Sequence, residues 1–154
     1  NFGLAFAKSQ MGTGVSLPME GNVLLTVADR DKPKMLPIAR KFKKLGFSLM
    51  ATEGTASYLK EQGVKGVKTV YKINKGRPDI VDHIKNEEIQ FIINRPQGKG
   101  SKFDEYKMRR QALMRNVPIA TTIQGASAAA EGIEKLKNKD LDVKAIQEYH
   151  EETE

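Results

Sequence analysis

Cysteine is absent from the 154-residue chain, and with it go disulfides, thiolate-bound zinc, iron–sulfur clusters and any thiol nucleophile. That absence fits a reducing compartment, and a cytoplasmic location is expected. Tryptophan is absent too, and only two histidines occur, His83 and His150. Neither stands in an HExxH or other ligand spacing, so no metal is expected and both read as surface residues. No apolar run approaches the roughly 18 residues that cross a bilayer, and Asn1–Gln10 lacks the charged-then-apolar layout of a signal peptide, so no membrane partner is expected. Catalytic fingerprints are missing as well: there is no G-x-S-x-G, and no G-x-G-x-x-G turn follows the first apolar run. The GKGSK stretch at Gly98–Lys102 matches a P-loop only in part, because Ile93 stands where the first glycine belongs and Gly100 replaces the serine or threonine. It reads as a flexible basic loop.

What remains is ordinary globular composition. Hydrophobic residues at 39% and charged residues at 29% exclude a disordered or fibrous chain, and the length suits a single core. The net charge of +7 comes from 26 basic residues interspersed with 19 acidic ones. That mixture describes a solvated surface favouring small anions more than a track for nucleic acid. The opening NFGLAFAKSQ, without Met, reads as the end of a connection, so a fragment of a larger enzyme is expected. Residues 1–20 would be the connecting segment, 21–138 the domain proper and 139–154 a C-terminal helix and tail.

From Gly21 onward short β-type runs alternate with segments of helical period, which predicts an α/β fold with a parallel sheet covered on both faces. The runs are Val23–Val27, Phe47–Met50, Val67–Tyr71, Gln90–Ile93 and Val117–Ala120. Met35, Ile38, Ala39, Phe42 and Leu45 share one helical face, with Asp31 as the expected N-cap and Gly46 just past the end. Thr55 is expected to cap a helix over Ala56–Gln62, and Asp79 one over Ile80–Lys85. A further helix is expected from Asp104 to Arg115, and another carrying Ala126, Ala129, Ala130, Ile133 and Leu136 on one stripe. A separate short helix is expected around Val143–Tyr149, with a frayed end.

In open α/β sheets ligands bind at the carboxyl ends of the strands, so the informative residues follow each β run. After the second run, in ATEGTAS, Thr52, Gly54, Thr55 and the first N–H groups of the next helix can surround an anion. Lys32 stands at the start of a helix, where a cation is disfavoured unless an anion accompanies it. Lys72, Lys75 and Arg77 follow the third run, and Asn94 and Arg95 the fourth. The competing readings are a plain helix cap for Thr55, a turn for Gly54 and solvated lysines. Convergence of all these groups on one phosphate or carboxylate requires the doubly wound topology.

Read together, LLTVADRDK, GFSLMATEGTASYLKEQGV, INKGRPDIVDHIKN, FIINRPQGKGSKFDEYKMRRQAL and VPIATTIQGASAAAEGI resemble the carboxyl-terminal allosteric domain of carbamoyl-phosphate synthase large subunits, within the methylglyoxal-synthase-like fold. The likeness runs from about Phe2 to His150. It implies a three-layer, Rossmann-like domain with a five-stranded parallel sheet that binds effectors. These are uridine or inosine monophosphate in many bacterial enzymes, ornithine near the boundary with the synthetase body, and N-acetylglutamate in the animal urea-cycle enzyme. Carried over by position, contacts to the nucleotide phosphate would fall on Lys32, Thr52, Thr55, Lys72 and Asn94, with Arg95 and Arg77 as additional cations, and an ornithine contact on Thr121. No catalytic residue and no cofactor would belong to this stretch. The parent enzyme would use ATP with Mg or Mn and K to make carbamoyl phosphate from glutamine and bicarbonate for pyrimidine and arginine biosynthesis, with a glutaminase small subunit as partner. Arg95 stands where the family commonly has Thr, and Pro96 where some members place a phosphate-contacting Thr. An extra guanidinium is expected to strengthen anion binding or change which effector fits.

Two rival functions remain at the level of sequence. A methylglyoxal-synthase-type lyase acting on dihydroxyacetone phosphate needs a carboxylate base, but the Gly-Gly-Asp stretch that supplies it reads Lys75-Gly76-Arg77-Pro78 here, leaving only Asp79 or Asp82 nearby. A nucleic-acid module needs exposed aromatics on a cationic face, whereas the Phe and Tyr residues are expected mostly on core-facing positions.

Overall fold

The computed structural model describes residues 16–95 and 102–153. Five strands, β1 (Asn22–Val27), β2 (Ser48–Thr52), β3 (Lys68–Val70), β4 (Phe91–Arg95) and β5 (Ile119–Ala120), make one parallel sheet in the order β3-β2-β1-β4-β5. The helices are α1 (Lys32–Lys44), α2 (Glu53–Glu61), α3 (Ile80–Lys85), α4 (Lys102–Met114) and α5 (Ile123–Thr153). One turn of 3-10 helix, Asp29–Asp31, leads into α1. This is the expected three-layer α/β architecture.

Successive side chains of a strand point to opposite faces, so each β run feeds two cores. Leu24, Met50 and Ile92 face one side, where Ile80 and Ile84 of α3 and Met108 and Ala112 of α4 cover them. Val23, Leu25, Leu49, Phe91 and Ile93 face the other, under α1, α2 and α5. Both faces are dry, so these strands read as continuous apolar runs without a polar alternation. The Met35, Ile38, Ala39 and Phe42 stripe of α1 is buried, and Phe42 packs edge-on to Phe47 at 5.4 Å and stacked on Phe91 at 5.5 Å. Helix α1 ends as expected: Gly46 adopts φ +101°, a conformation that L side chains resist, and its N–H donates to the Lys43 carbonyl. The sheet order puts β2 and β4 on either side of β1, so the connections after β1 and β4 diverge and open a crevice at their carboxyl ends.

Several expectations are corrected. Helix α2 begins at Glu53 directly after β2, with Thr52 at the N-cap position, so Thr55 lies inside its first turn and does not cap it. The backbone of β1 competes for the Thr55 hydroxyl: Oγ1 accepts from Val27 N at 3.2 Å and donates to Val27 O at 3.4 Å. Asp31 occupies the N-cap position of α1 without a capping hydrogen bond, because its carboxylate turns to Arg95. The helix expected around Val143–Tyr149 is the continuation of the 31-residue α5, since no Gly or Pro interrupts the chain there. His83 is buried, not superficial, because its Nδ1 finds a carboxylate partner in Glu88 at 2.9 Å. Tyr71, Phe103 and Tyr106 are exposed, contrary to the core positions expected for aromatics, and Phe103 lies under the Lys107 ammonium at 4.5 Å. The GKGSK reading falls on Gly98–Ser101, and Pro96 with it, outside the described residues, while Lys102 opens α4.

Candidate functional site

Four adjacent strands end on one edge of the sheet, and the predicted residues follow them: Lys32 after β1, Thr52 at the end of β2, Lys72 after β3, and Asn94 within the end of β4. Because β2 runs into α2 with no intervening loop, the first N–H groups of α2 point out of this edge. Thr52 is buried and makes no side-chain cap hydrogen bond to α2.

The Lys32 side chain is 10% exposed, and its ammonium pairs with the Asp29 carboxylate, which is 81% exposed. A Cβ added at Gly54 would stand 3.5 Å from Lys32 Nζ, so the cation lies against the start of α2. A positive charge beside the positive end of a helix is unfavourable alone. The sequence reading asked for an anionic ligand at this point; the structure shows that Asp29, from the 3-10 turn, already provides a negative charge.

A cleft of about 980 Å³ opens beside this point, between the start of α2 and the end of β3. Glu53, Gly54 and Ser57 form one wall; Thr69, Tyr71, Lys72 and Lys75 form the other. The segment after β3 is folded back on itself: Tyr71 O accepts from Ile80 N at 3.1 Å, and Lys75 N donates to Lys72 O at 3.1 Å. Both lysines thus lie on the lip. Asn94 is buried opposite Thr26, accepting from Thr26 Oγ1 at 2.6 Å and donating to Glu105 at 3.1 Å.

The remaining cations are engaged elsewhere. Arg95 donates through Nε to Asp31 at 3.2 Å and through Nη1 to the Thr121 carbonyl at 3.1 Å, tying the ends of β4 and β5 to the turn before α1. Thr121 itself is exposed. Arg77 is not brought to the cleft, because its guanidinium donates to Asp82 at 2.9 Å. Asp79 and Asp82 form the capping box of α3. The Asp79 N–H donated to Asp82, opposed in part by desolvation and helped by Arg77, holds the Asp82 carboxyl below its ordinary value. Both candidate lyase bases are therefore held in a helix cap. Among the described residues no three of His, Asp and Glu converge to hold a metal ion, and no helix is long and apolar enough to cross a membrane.

Sequence reasoning missed Asp29, Glu53 and Tyr71. Tyr71 is the last residue of the third run as the sequence defines it, Val67–Tyr71, and the residues singled out beyond it are cations. The strand stops one residue earlier, at Val70, and the Tyr71 ring turns outward. Asp29 stands three residues before Lys32, a spacing that pairs side chains across one helical turn and was legible in VADRDK.

The model of the MGS-like domain family matches residues 34–121. Relatives at 47, 45 and 46% identity are the carbamoyl phosphate synthase large chain, C-terminal section, of Methanopyrus kandleri, the large chain of Synechocystis and the C-terminal section of Aquifex aeolicus, each covering 97% of this chain. The match spans 28% of the two C-terminal sections and 14% of the full large chain. Among solved structures, methylglyoxal synthase from Elizabethkingia anophelis superposes with a TM-score of 0.56 at 22% identity over 76% of this chain and 78% of its own, a likeness of fold. With the matched stretch covering β2 to β5 and the greater part of α1, the chain belongs to the MGS-like domain family, in the form similar to that of carbamoyl phosphate synthase large chains.

Proposed function

We propose that this chain is the effector-binding, non-catalytic part of a carbamoyl phosphate synthase large chain, and that it takes a nucleotide monophosphate at the carboxyl ends of β1 to β4. The observation that carries the reading is the buried Lys32 ammonium set against Gly54 at the start of α2. Backbone N–H groups, an ammonium and the Thr52 hydroxyl together match a phosphate, with Lys72 on the lip adding a second cation. Thr55 acts one step back, by fixing α2 to β1 through Val27. Asn94 presents its amide through Glu105 and Thr26, and Arg95 reaches the site only through Asp31. Lyase chemistry is disfavoured by the engagement of Asp79 and Asp82 in the α3 cap.

In the parent enzyme, uridine or inosine monophosphate held here would shift the synthetase between states of different activity, by a differential affinity of typically 1–3 kcal/mol. ATP, its metal ions and the glutaminase subunit belong to that larger, cytoplasmic assembly, and ornithine would meet Thr121 at its boundary.

Calorimetric titration of the chain with uridine monophosphate, inosine monophosphate, ornithine and inorganic phosphate tests the reading. A Lys32→Met, Thr52→Val double variant should lose at least about 10-fold in nucleotide affinity, the size expected for a charge-assisted hydrogen bond. Asp29 is largely exposed, so the loss of its ion pair with Lys32 should leave the fold standing. Nucleotide affinity equal to wild type would put the site elsewhere.

A further inference from the structure

The cleft beside the phosphate position holds an aromatic ring that the reading above leaves without a role. Tyr71 is 53% exposed, follows directly on β3 and lines the cleft together with Lys72 and Lys75. Exposed tyrosines are often rotatable, but this one is backed. A Cβ built on Gly76 would lie 2.6, 2.6 and 2.8 Å from Cδ1, Cγ and Cδ2 of the ring. Near-equal distances to three contiguous ring atoms mean that Gly76 lies over a face of the ring, not at its edge. Its backbone can approach so closely only because it carries no side chain. The hydrogen bond from Ile80 N to Tyr71 O fixes the Tyr71 backbone at the point where the Lys72–Pro78 segment closes.

A half-exposed ring that lines a cleft and is covered on one face by backbone is suited to stacking. We infer that Tyr71 stacks the flat heteroaromatic part of the ligand, so that the site selects phosphates that carry a base and discriminates against phosphates that carry only a sugar. The inference rests on the proposed phosphate site and adds the residue that sets ligand class. The chemistry of the walls agrees: Lys72 and Lys75 suit the anionic end, and Glu53 and Thr69 offer hydrogen-bond acceptors for hydroxyls between the two ends.

The test compares uridine monophosphate with ribose 5-phosphate and inorganic phosphate on wild type, Tyr71→Leu, Tyr71→Phe and Gly76→Ala. Wild type should bind the nucleotide about 10-fold or more tightly than ribose 5-phosphate, within the range measured for base–aromatic stacking. Tyr71→Leu should bring the two together while leaving ribose 5-phosphate affinity unchanged, which also shows that the variant is folded. Tyr71→Phe should keep the preference. Gly76→Ala, which drives a methyl into the ring, should lose it. A wild type that binds both sugar phosphates equally, or a Tyr71→Leu variant that retains the preference, overturns the inference and leaves the phosphate site standing. Failure of wild type to bind any of the three probes removes the phosphate site and the inference together.

Discussion

A buried ammonium needs a counter-charge, and the one that Lys32 takes from Asp29 belongs to a side chain 81% exposed. Solvent screens such a carboxylate, so the pair holds weakly and an incoming phosphate can displace it. On the proposed reading Asp29 competes with the phosphate for Lys32. Removing its charge by Asp29→Asn should raise phosphate and nucleotide affinity by about 2- to 5-fold, the worth of an exposed ion pair. Titration of that variant beside wild type measures it, and an unchanged constant would mean that ligand and Asp29 engage Lys32 without conflict. Thr55 shows the opposite case of a residue noticed in the sequence for one reason and employed for another. The ATEGTAS stretch marked it as a cap or an anion ligand, and only the return of β1 beside α2 revealed that its hydroxyl bonds Val27.

At the scale of an element, α3 has an acid-sensitive carboxylate at its start, Asp82, and another, Glu88, just beyond its end. Its N-terminal box of Asp79 and Asp82 was half legible, since Asp79 before an apolar run is a cap signal, whereas the reciprocal Asp82 bond needs the folded turn. The far end is closed by His83 and Glu88. The hydrogen bond from His83 holds the Glu88 carboxyl below its ordinary value, against desolvation, with the His83 and Lys68 charges assisting. Glu88 and Asp82 are both depressed on folding, so the stability they contribute is present above the ordinary carboxylate values and lost as pH falls through the lowered ones. Urea midpoints should fall as pH drops below about 4, and Glu88→Gln should flatten that fall by removing one of the two titrations. A variant with the wild-type slope would show that Glu88 is as easily protonated in the folded chain as in the unfolded one.

For the molecule as a whole, the proposed site exists only where four strand ends meet, so ligand binding and folding are linked. Nucleotide at about 100 times its dissociation constant should add about 2.7 kcal/mol and raise the melting temperature by about 5–11 °C, with no more than about half that shift in the Lys32→Met, Thr52→Val variant at the same concentration. Scanning calorimetry reads this directly. The sequence alone carried the layers: the apolar runs, the Met35 to Phe42 stripe and the alanines of α5 fit helices on both faces of a parallel sheet, because local periodicity and propensity are properties of short stretches. It also determined which strand ends carry cations and hydroxyls. What those groups touch was fixed by the folded chain: Arg95 reaches Asp31 and Thr121, Asn94 meets Thr26, and the Thr55 hydroxyl bonds Val27. The physical reason is range. A hydrogen bond depends on fractions of an ångström between segments up to 68 residues apart in these contacts, and no local pattern carries that distance.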